Sequence, residues 1–382
     1  MVGTSFEFAT AGRILFGEGS ARNVISESRS MGQRPMLVTG SSAGRAAWLR
    51  EELECVPFSI TGEPTVDAAR AGAHLAREAG CDVVIAVGGG SAIDGAKAIA
   101  ALAANSGEPL DYLEVVGRGQ TLQHASLPFI AVPTTAGTGT EVTRNAVLHS
   151  VEHGVKASLR SPLMLPRLAV VDPELTYALP PAVTASTGLD ALTQLIEPFV
   201  SVRANPLIDA LCVDGIRRVA RALPRVWEDP ADRAARREMA LAALYGGLAL
   251  ANAGLGVVHG FAAPIGGMWT AAHGAVCAAV LPHGMEANLR ALRSRAPAHP
   301  AAEKYHVIAG LLTGRNDARA EDGIDWVRQT CEALRIPRLS AYGITTADVP
   351  AIVEKAAQAS SMKANPIVLT AGELTAVAEA AV

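Results

Sequence analysis

A parallel α/β domain followed by an all-α domain is the architecture this sequence predicts, on three observations. The length of 382 residues exceeds one ordinary domain and suits two, each with its own core. In the first 180 residues, short runs of consecutive apolar residues alternate with helical patterns, as in a parallel sheet covered on both faces. Beyond about residue 180 those runs stop, and Ala-, Leu- and Arg-rich helical periodicity takes over. Pro180 and Pro181 keep a helix from running through the junction, so the expected domains are 1–180 and 181–382.

The first strand is 35–39 (PMLVT), broken by Gly40-Ser41-Ser42 and followed by a helix over 43–53. Val66, Ala69, Ala73 and Ala76 recur every three or four residues and predict a helix over 66–79. The strand 83–87 (VVIAV) runs into Gly88-Gly89-Gly90, and a helix follows from Ser91, a natural N-cap, to about Ala104. Strands at 128–132 (PFIAV) and 168–171 (LAVV) complete the sheet, the second closing at Asp172-Pro173. The helices of the second half are expected at 181–202, 206–222, 230–254, 259–271, 274–292, 300–312, 320–334, 346–358 and 371–382.

Composition narrows the function. With 49% hydrophobic and 18% charged residues and a formal charge of -4, the chain reads as globular. It has no basic stripe interleaved with aromatics, which argues against nucleic acid as a partner. The first residues lack the cationic start and apolar stretch of a secretory signal, and no run reaches the roughly 20 apolar residues of a membrane helix. Cys55, Cys81, Cys212, Cys277 and Cys331 are odd in number and form no CxxC pair. They read as free thiols of a cytoplasmic protein.

Three groups of residues carry chemistry. Gly88-Gly89-Gly90-Ser91 lies between a buried strand and a helix, where bare backbone and unpaired helical N–H groups receive a pyrophosphate; the plainer alternative is a tight turn without a ligand. Thr134, Thr135, Thr138 and Thr140 with two glycines follow the strand at 128–132, fitting either a cleft that hydrogen-bonds ribose, amide or phosphate groups or a capped polar loop. Asp190 and Gln194 share one helix face at i and i+4, and His259 and His273 each precede a glycine. An Asp and two His on separate helices suit a divalent metal, although each His alone also fits an ordinary buried position.

Taken together, GGGSAIDGAK (88–97), PTTAGTGTEVT (133–143), VVDPEL (170–175), GLDALTQLIE (188–197), VVHG (257–260) and AAHGAVCA (271–278) resemble the iron-containing (group III) alcohol dehydrogenase family, which includes maleylacetate reductases. The resemblance runs from Phe6 to the end and implies a Rossmann-like N-terminal domain, a helical C-terminal domain of dehydroquinate synthase-like architecture, and an active site in the cleft between them. By this resemblance Gly88, Gly89, Gly90 and Ser91 hold the pyrophosphate, with Asp94 in the same segment. Thr134, Thr135 and Thr138 line the cofactor, and Lys156 lies near the nicotinamide ribose.

The sequence departs from the family pattern in two places. Members that prefer NAD carry an Asp after the first strand; here Gly40 stands there, followed by Ser41, Ser42 and Arg45. Loss of the carboxylate removes repulsion of a 2′-phosphate, so NADP(H) is favoured over NAD(H). In the metal pattern Asp190, His259 and His273 match, but the second ligand is Gln194, and Ala263 replaces a further His. An amide oxygen binds iron or zinc more weakly than imidazole. That leaves an Asp190/Gln194/His259/His273 site for Fe²⁺ or Zn²⁺, a three-ligand site completed by water, or a metal-free enzyme with His259 or His273 as proton donor.

The resemblance implies hydride transfer between NAD(P) and a small alcohol or carbonyl compound, with Asp190, His259 and His273 catalytic and a homodimer or larger assembly. Two alternatives stand beside it. One is maleylacetate reduction, for which Arg144 and Arg160 are candidate contacts; the other is a non-catalytic NADPH-binding protein.

Overall fold

The computed structural model describes residues 5–382. Within them the chain divides into two compact units: Ala9–Thr135 with Gly139–Ala178, and Leu179–Val382 with Ala136–Thr138.

The first unit contains strands β1 (Ile14–Phe16), β2 (Pro35–Thr39), β3 (Val56–Ser59), β4 (Val83–Gly88), β5 (Phe129–Pro133), β6 (Asn145–Ser150), β7 (Val155–Arg160) and β8 (Leu168–Val171). Six of them form one parallel sheet in the order β1-β8-β5-β4-β2-β3, while β6 and β7 make a separate antiparallel hairpin. Its helices are α1 (Asn23–Met31), α2 (Ala47–Glu52), α3 (Val66–Glu78), α4 (Gly90–Ala104) and the short α5 (Pro109–Tyr112).

Period-two alternation explains why the central strands are apolar throughout. Met36, Val38, Val84, Ala86, Phe129 and Ala131 pack on one face with Ala76, Ile93 and Ile99 of α3 and α4. Leu37, Ile85, Val87, Ile130, Val132, Leu168 and Val170 pack on the other with Val24 and Leu49. Each of the larger side chains among them contributes about 1.5–3 kcal/mol by leaving water. After β3 the chain crosses back to place β4 on the opposite side of β2, so the topological switch falls between β2 and β4.

Several elements differ from the sequence expectation. The helix at 43–53 is split, with a 3-10 turn at Ala43–Ala46 before α2. The N-cap of α4 is Gly89 rather than Ser91, which is the second helical residue. The short strands β1 and β3 and the hairpin were not anticipated. β3 has an alternating half-buried pattern, and β6 buries only every second residue.

The second unit is helical: α6 (Pro181–Val200), α7 (Pro206–Glu228), α8 (Arg233–Ala253), α9 (Val257–Met268), α10 (His273–Arg295), α11 (Ala301–Thr313), α12 (Ala320–Ala333), α13 (Val349–Gln358) and α14 (Ala371–Ala381). α7 continues past the expected stop at 222, through Pro224, with Leu223 and Val226 buried in its last turns. α6 is the central element, and every residue from Gly188 to Val200 is buried. A helix buried on all sides is expected to be apolar. Asp190, Gln194 and Glu197 are polar exceptions at i, i+4 and i+7, and buried groups of this kind require partners. Among the described residues no single helix is long and apolar enough to cross a membrane.

Candidate active site

In the sheet unit, three loops emerge side by side at the carboxyl edge next to the topological switch. A Cβ on Gly88 would stand 3.4 Å from the Gly40 backbone nitrogen and 2.6 Å from Ala92 Cβ. Thr134 N–H donates to the Gly88 carbonyl at 2.9 Å, and a Cβ on Gly89 would lie 3.4 Å from Thr135. The loops after β2, β4 and β5 therefore converge. No side chain caps α4, so its opening N–H groups and positive dipole end face outward past bare glycine. This cradle, which a Cβ at Gly88 would disturb, fits a phosphate. Ser41 and Ser42 are exposed beside it. Arg45 is half-buried and forms no ion pair among the described residues.

Asp94 is turned inward from the cradle. Its carboxylate accepts from the Thr140 hydroxyl and from Val147 N–H at 3.1 Å, and lies 3.7 Å from Lys97 Nζ. Lys97 is fully buried, and its ammonium donates to the carbonyls of Thr140 (2.8 Å) and Asn145 (2.7 Å) and to Thr143 Oγ1 (2.9 Å). Burial pulls the Lys97 pKa down to about 8 and pushes that of buried Glu141 up to about 7. This buried charge network pins the return of the threonine loop onto α4.

The other predicted residues of this unit are placed as follows. Thr134 is buried and Thr135 half-buried. Lys156 Nζ is 3.1 Å from Glu63 Oε1. Arg144 is half-buried, and exposed Arg160 pairs with Glu114 at 3.1 Å. Thr138 belongs to the helical unit, where neighbouring Gly137 approaches Thr187 so closely that a Cβ would stand 2.6 Å from Thr187 Cβ.

The helical unit gathers Asp190 of α6, His259 of α9, and His273 and Cys277 of α10, with one donor atom from each within 4.8 Å of the others. Asp190 Oδ1 lies 3.5 Å from His259 Nε2 and 3.8 Å from His273 Nε2. His259 Nδ1 is 2.7 Å from Glu197 Oε2, and Glu197 Oε1 accepts Val258 N–H at 2.7 Å. A carboxylate only accepts, so this contact puts the ring proton on Nδ1 and aims the Nε2 lone pair at Asp190. Two lone pairs facing each other call for a proton or a cation between them. Consistent with that, Asp190 Oδ1, His259 Nε2 and Gln194 Oε1 are buried with no hydrogen-bond partner among the described residues. These donors fit a divalent cation.

The electrostatics agree. Burial disfavours the imidazolium of His259, yet Cys277, Asp190 and Glu197 outweigh it and hold its pKa well above the usual histidine range. Cys277 and Asp190 likewise raise that of His273. Burial raises the Cys277 thiol and the Asp190 carboxyl, but the imidazoles overcome this and bring both down. Imidazoles drawn towards the imidazolium and acids held ionised stabilise one another's charges in this buried cluster.

Comparison with known proteins places this geometry. Residues 11–173 match the profile described as "Iron-containing alcohol dehydrogenase", and residues 184–382 that of "Fe-containing alcohol dehydrogenase family, C-terminal". The chain belongs to the iron-containing alcohol dehydrogenase family. It is 33% identical to alcohol dehydrogenase 4 of Saccharomyces cerevisiae over 374 residues, covering 95% of each chain. Its structure is similar to that of a 1,3-propanediol oxidoreductase, with a TM-score of 0.91 and 32% identity, covering 99% of this chain and 100% of the other. A sulfoacetaldehyde reductase from Bifidobacterium kashiwanohense in complex with NAD+ aligns with a TM-score of 0.84 and 29% identity, covering 98% of each chain. The protein is thus an oxidoreductase of this family. Its relatives favour neither maleylacetate reduction nor a non-catalytic role.

Against this family background, Cys277 and Glu197 are the residues that the sequence reading overlooked. Both had a legible signal. Cys277 follows His273 by four residues, hence on one helix face, and Glu197 follows Asp190 by seven.

Proposed function

We propose that this protein is an NADP(H)-preferring alcohol dehydrogenase that interconverts short alcohols and aldehydes with the help of a divalent cation. The observation that carries the reading is the set of unpartnered buried donors Asp190 Oδ1 and His259 Nε2, faced by His273, in a chain that also carries an uncapped glycine cradle. The cradle at Gly88, Gly89, Gly90 and Ser91 binds pyrophosphate through backbone N–H groups. Ser41, Ser42 and Arg45, beside Gly40, accept the 2′-phosphate. Thr134, Thr135, Thr138 and Lys156 hydrogen-bond the remaining polar groups of the dinucleotide.

Asp190, His259 and His273 hold the cation, with Gln194 at the position of the fourth family ligand. When bound, the nicotinamide exchanges the hydride and the cation polarises the carbonyl oxygen. Glu197 fixes the ring orientation of His259. The side chain of His273 is 36% exposed, against 6% for His259 and 2% for Asp190, so the cluster opens to solvent on the His273 side. Short diols and their hydroxyaldehydes are the first substrates to try, because the propanediol enzyme is so similar in structure.

Rates of NADPH and NADH oxidation with a panel of short aldehydes test this. The expected result is a kcat/KM at least about tenfold higher with NADPH. Preference for NADH overturns the cofactor assignment, and no turnover with either overturns the enzyme assignment.

A further inference from the structure

The identity of the fourth ligand can be argued from the helical unit alone. Gln194 is poorly placed for the task. Its amide oxygen, buried and without a hydrogen-bond partner among the described residues, lies against bare Gly246, 3.5 Å from where a Cβ would be. Cys277 is fully buried, one helical turn after His273, with Sγ 3.6 Å from His273 Nε2. A tetrahedral ion bound at about 2.05 Å by nitrogen and oxygen and about 2.3 Å by sulfur separates its N and S ligands by about 3.6 Å and its N and O ligands by about 3.4 Å. The observed edges are 3.6 Å for sulfur to nitrogen and 3.5 and 3.8 Å for oxygen to nitrogen.

We propose that Cys277 supplies a thiolate as the fourth ligand, so that Asp190, His259, His273 and Cys277 form a four-donor set suited to zinc. The inference rests on reading the cluster as a cation site, and adds which atom completes it. Two observations independent of the cysteine point to an ion there: the unpartnered Asp190 Oδ1 and the unpartnered His259 Nε2, on residues 1% and 6% exposed. Sulfur is the softest of the available donors and shifts preference towards zinc over iron. As the metal–sulfur bond forms, the thiol proton leaves to solvent.

Titrating the metal-free full-length protein with Co²⁺ tests the proposal by absorption spectroscopy, without reference to activity. No other cysteine belongs to the cluster, so the wild-type spectrum is diagnostic by itself. The expected result is visible d–d bands of a tetrahedral ion together with an intense near-ultraviolet sulfur-to-cobalt charge-transfer band. That band should be lost in Cys277→Ser and kept in Gln194→Ala. Cobalt d–d bands without the charge-transfer band in the wild type overturn the thiolate ligand and leave the cation site standing. Failure of cobalt to bind at all overturns the cation reading and the thiolate with it.

Discussion

At the scale of single residues, the buried polar side chains divide into those that hold the framework and those that form the chemistry. Lys97 and Glu141 belong to the framework, and their effect on stability has a definite sign. Burial raises the Glu141 pKa from 4.5 to about 7, so between these values the folded chain holds a proton that the unfolded chain has lost. Stability from this group is therefore present at low pH and is lost as pH rises towards 7. Lys97 is lowered from 10.5 to about 8, so over that higher window the unfolded chain binds the extra proton and stability rises with pH. Glu141→Gln is expected to gain on the wild type between about pH 5 and pH 7.5, by on the order of 2 kcal/mol. Denaturant unfolding at the two pH values checks this; an unchanged difference between the proteins would place the Glu141 titration elsewhere.

The same scale shows what a sequence conceals. Asp190, His259 and His273 were picked out through the family resemblance, since each His alone also fits an ordinary buried position. Cys277 was passed over despite its i+4 spacing from His273, because a lone cysteine reads as a small hydrophobe until a neighbour within reach gives it a role. Asp94 was placed in the pyrophosphate segment, Lys156 near the nicotinamide ribose and Arg160 as a candidate substrate contact; each also has a protein partner, in Thr140, Glu63 and Glu114 respectively. Spacing along the chain does not reveal such partners.

At the scale of elements, the close approach of α10 to α6 assembles the metal cluster. Gly274 makes that approach possible, since a Cβ there would lie 2.4 Å from the Ser186 carbonyl oxygen and 3.3 Å from Asp190 Cβ. Backbone cannot move aside as a flexible side chain can, so Gly274→Ala pushes the start of α10, with His273 and Cys277, away from Asp190. The expected outcome is a loss of about 1–3 kcal/mol of stability and at least about tenfold weaker ion binding. Thermal unfolding and chelator competition measure the two effects. A variant with wild-type ion affinity would show that the cluster does not depend on this packing.

Elements also differed in how readily the sequence revealed them. β2, β4, β5 and β8 are buried on both faces and give continuous apolar runs. β3 lies at the sheet edge, and β6 and β7 form a separate hairpin, so their half-polar patterns read as loop. Helix ends were the least certain features, because tertiary packing carries α7 through Pro224 and backbone geometry puts the α4 cap on Gly89.

At the scale of the whole molecule, the chain joins a sheet unit that can seat a dinucleotide to a helical unit that concentrates negative donors. Each unit makes chemical sense within the family. The central claim is that the reaction depends on a cation held by Asp190, His259 and His273 despite the replacement of a family histidine by Gln194. Protein purified without chelator should carry about one divalent ion per chain. NADPH-dependent aldehyde reduction by that protein, by the EDTA-stripped protein, and after return of Zn²⁺ or Fe²⁺ is the most direct test. The account predicts loss of turnover with the ion and recovery on its return. Undiminished turnover by metal-free protein would contradict it, and would leave His259 or His273 as an unassisted proton donor.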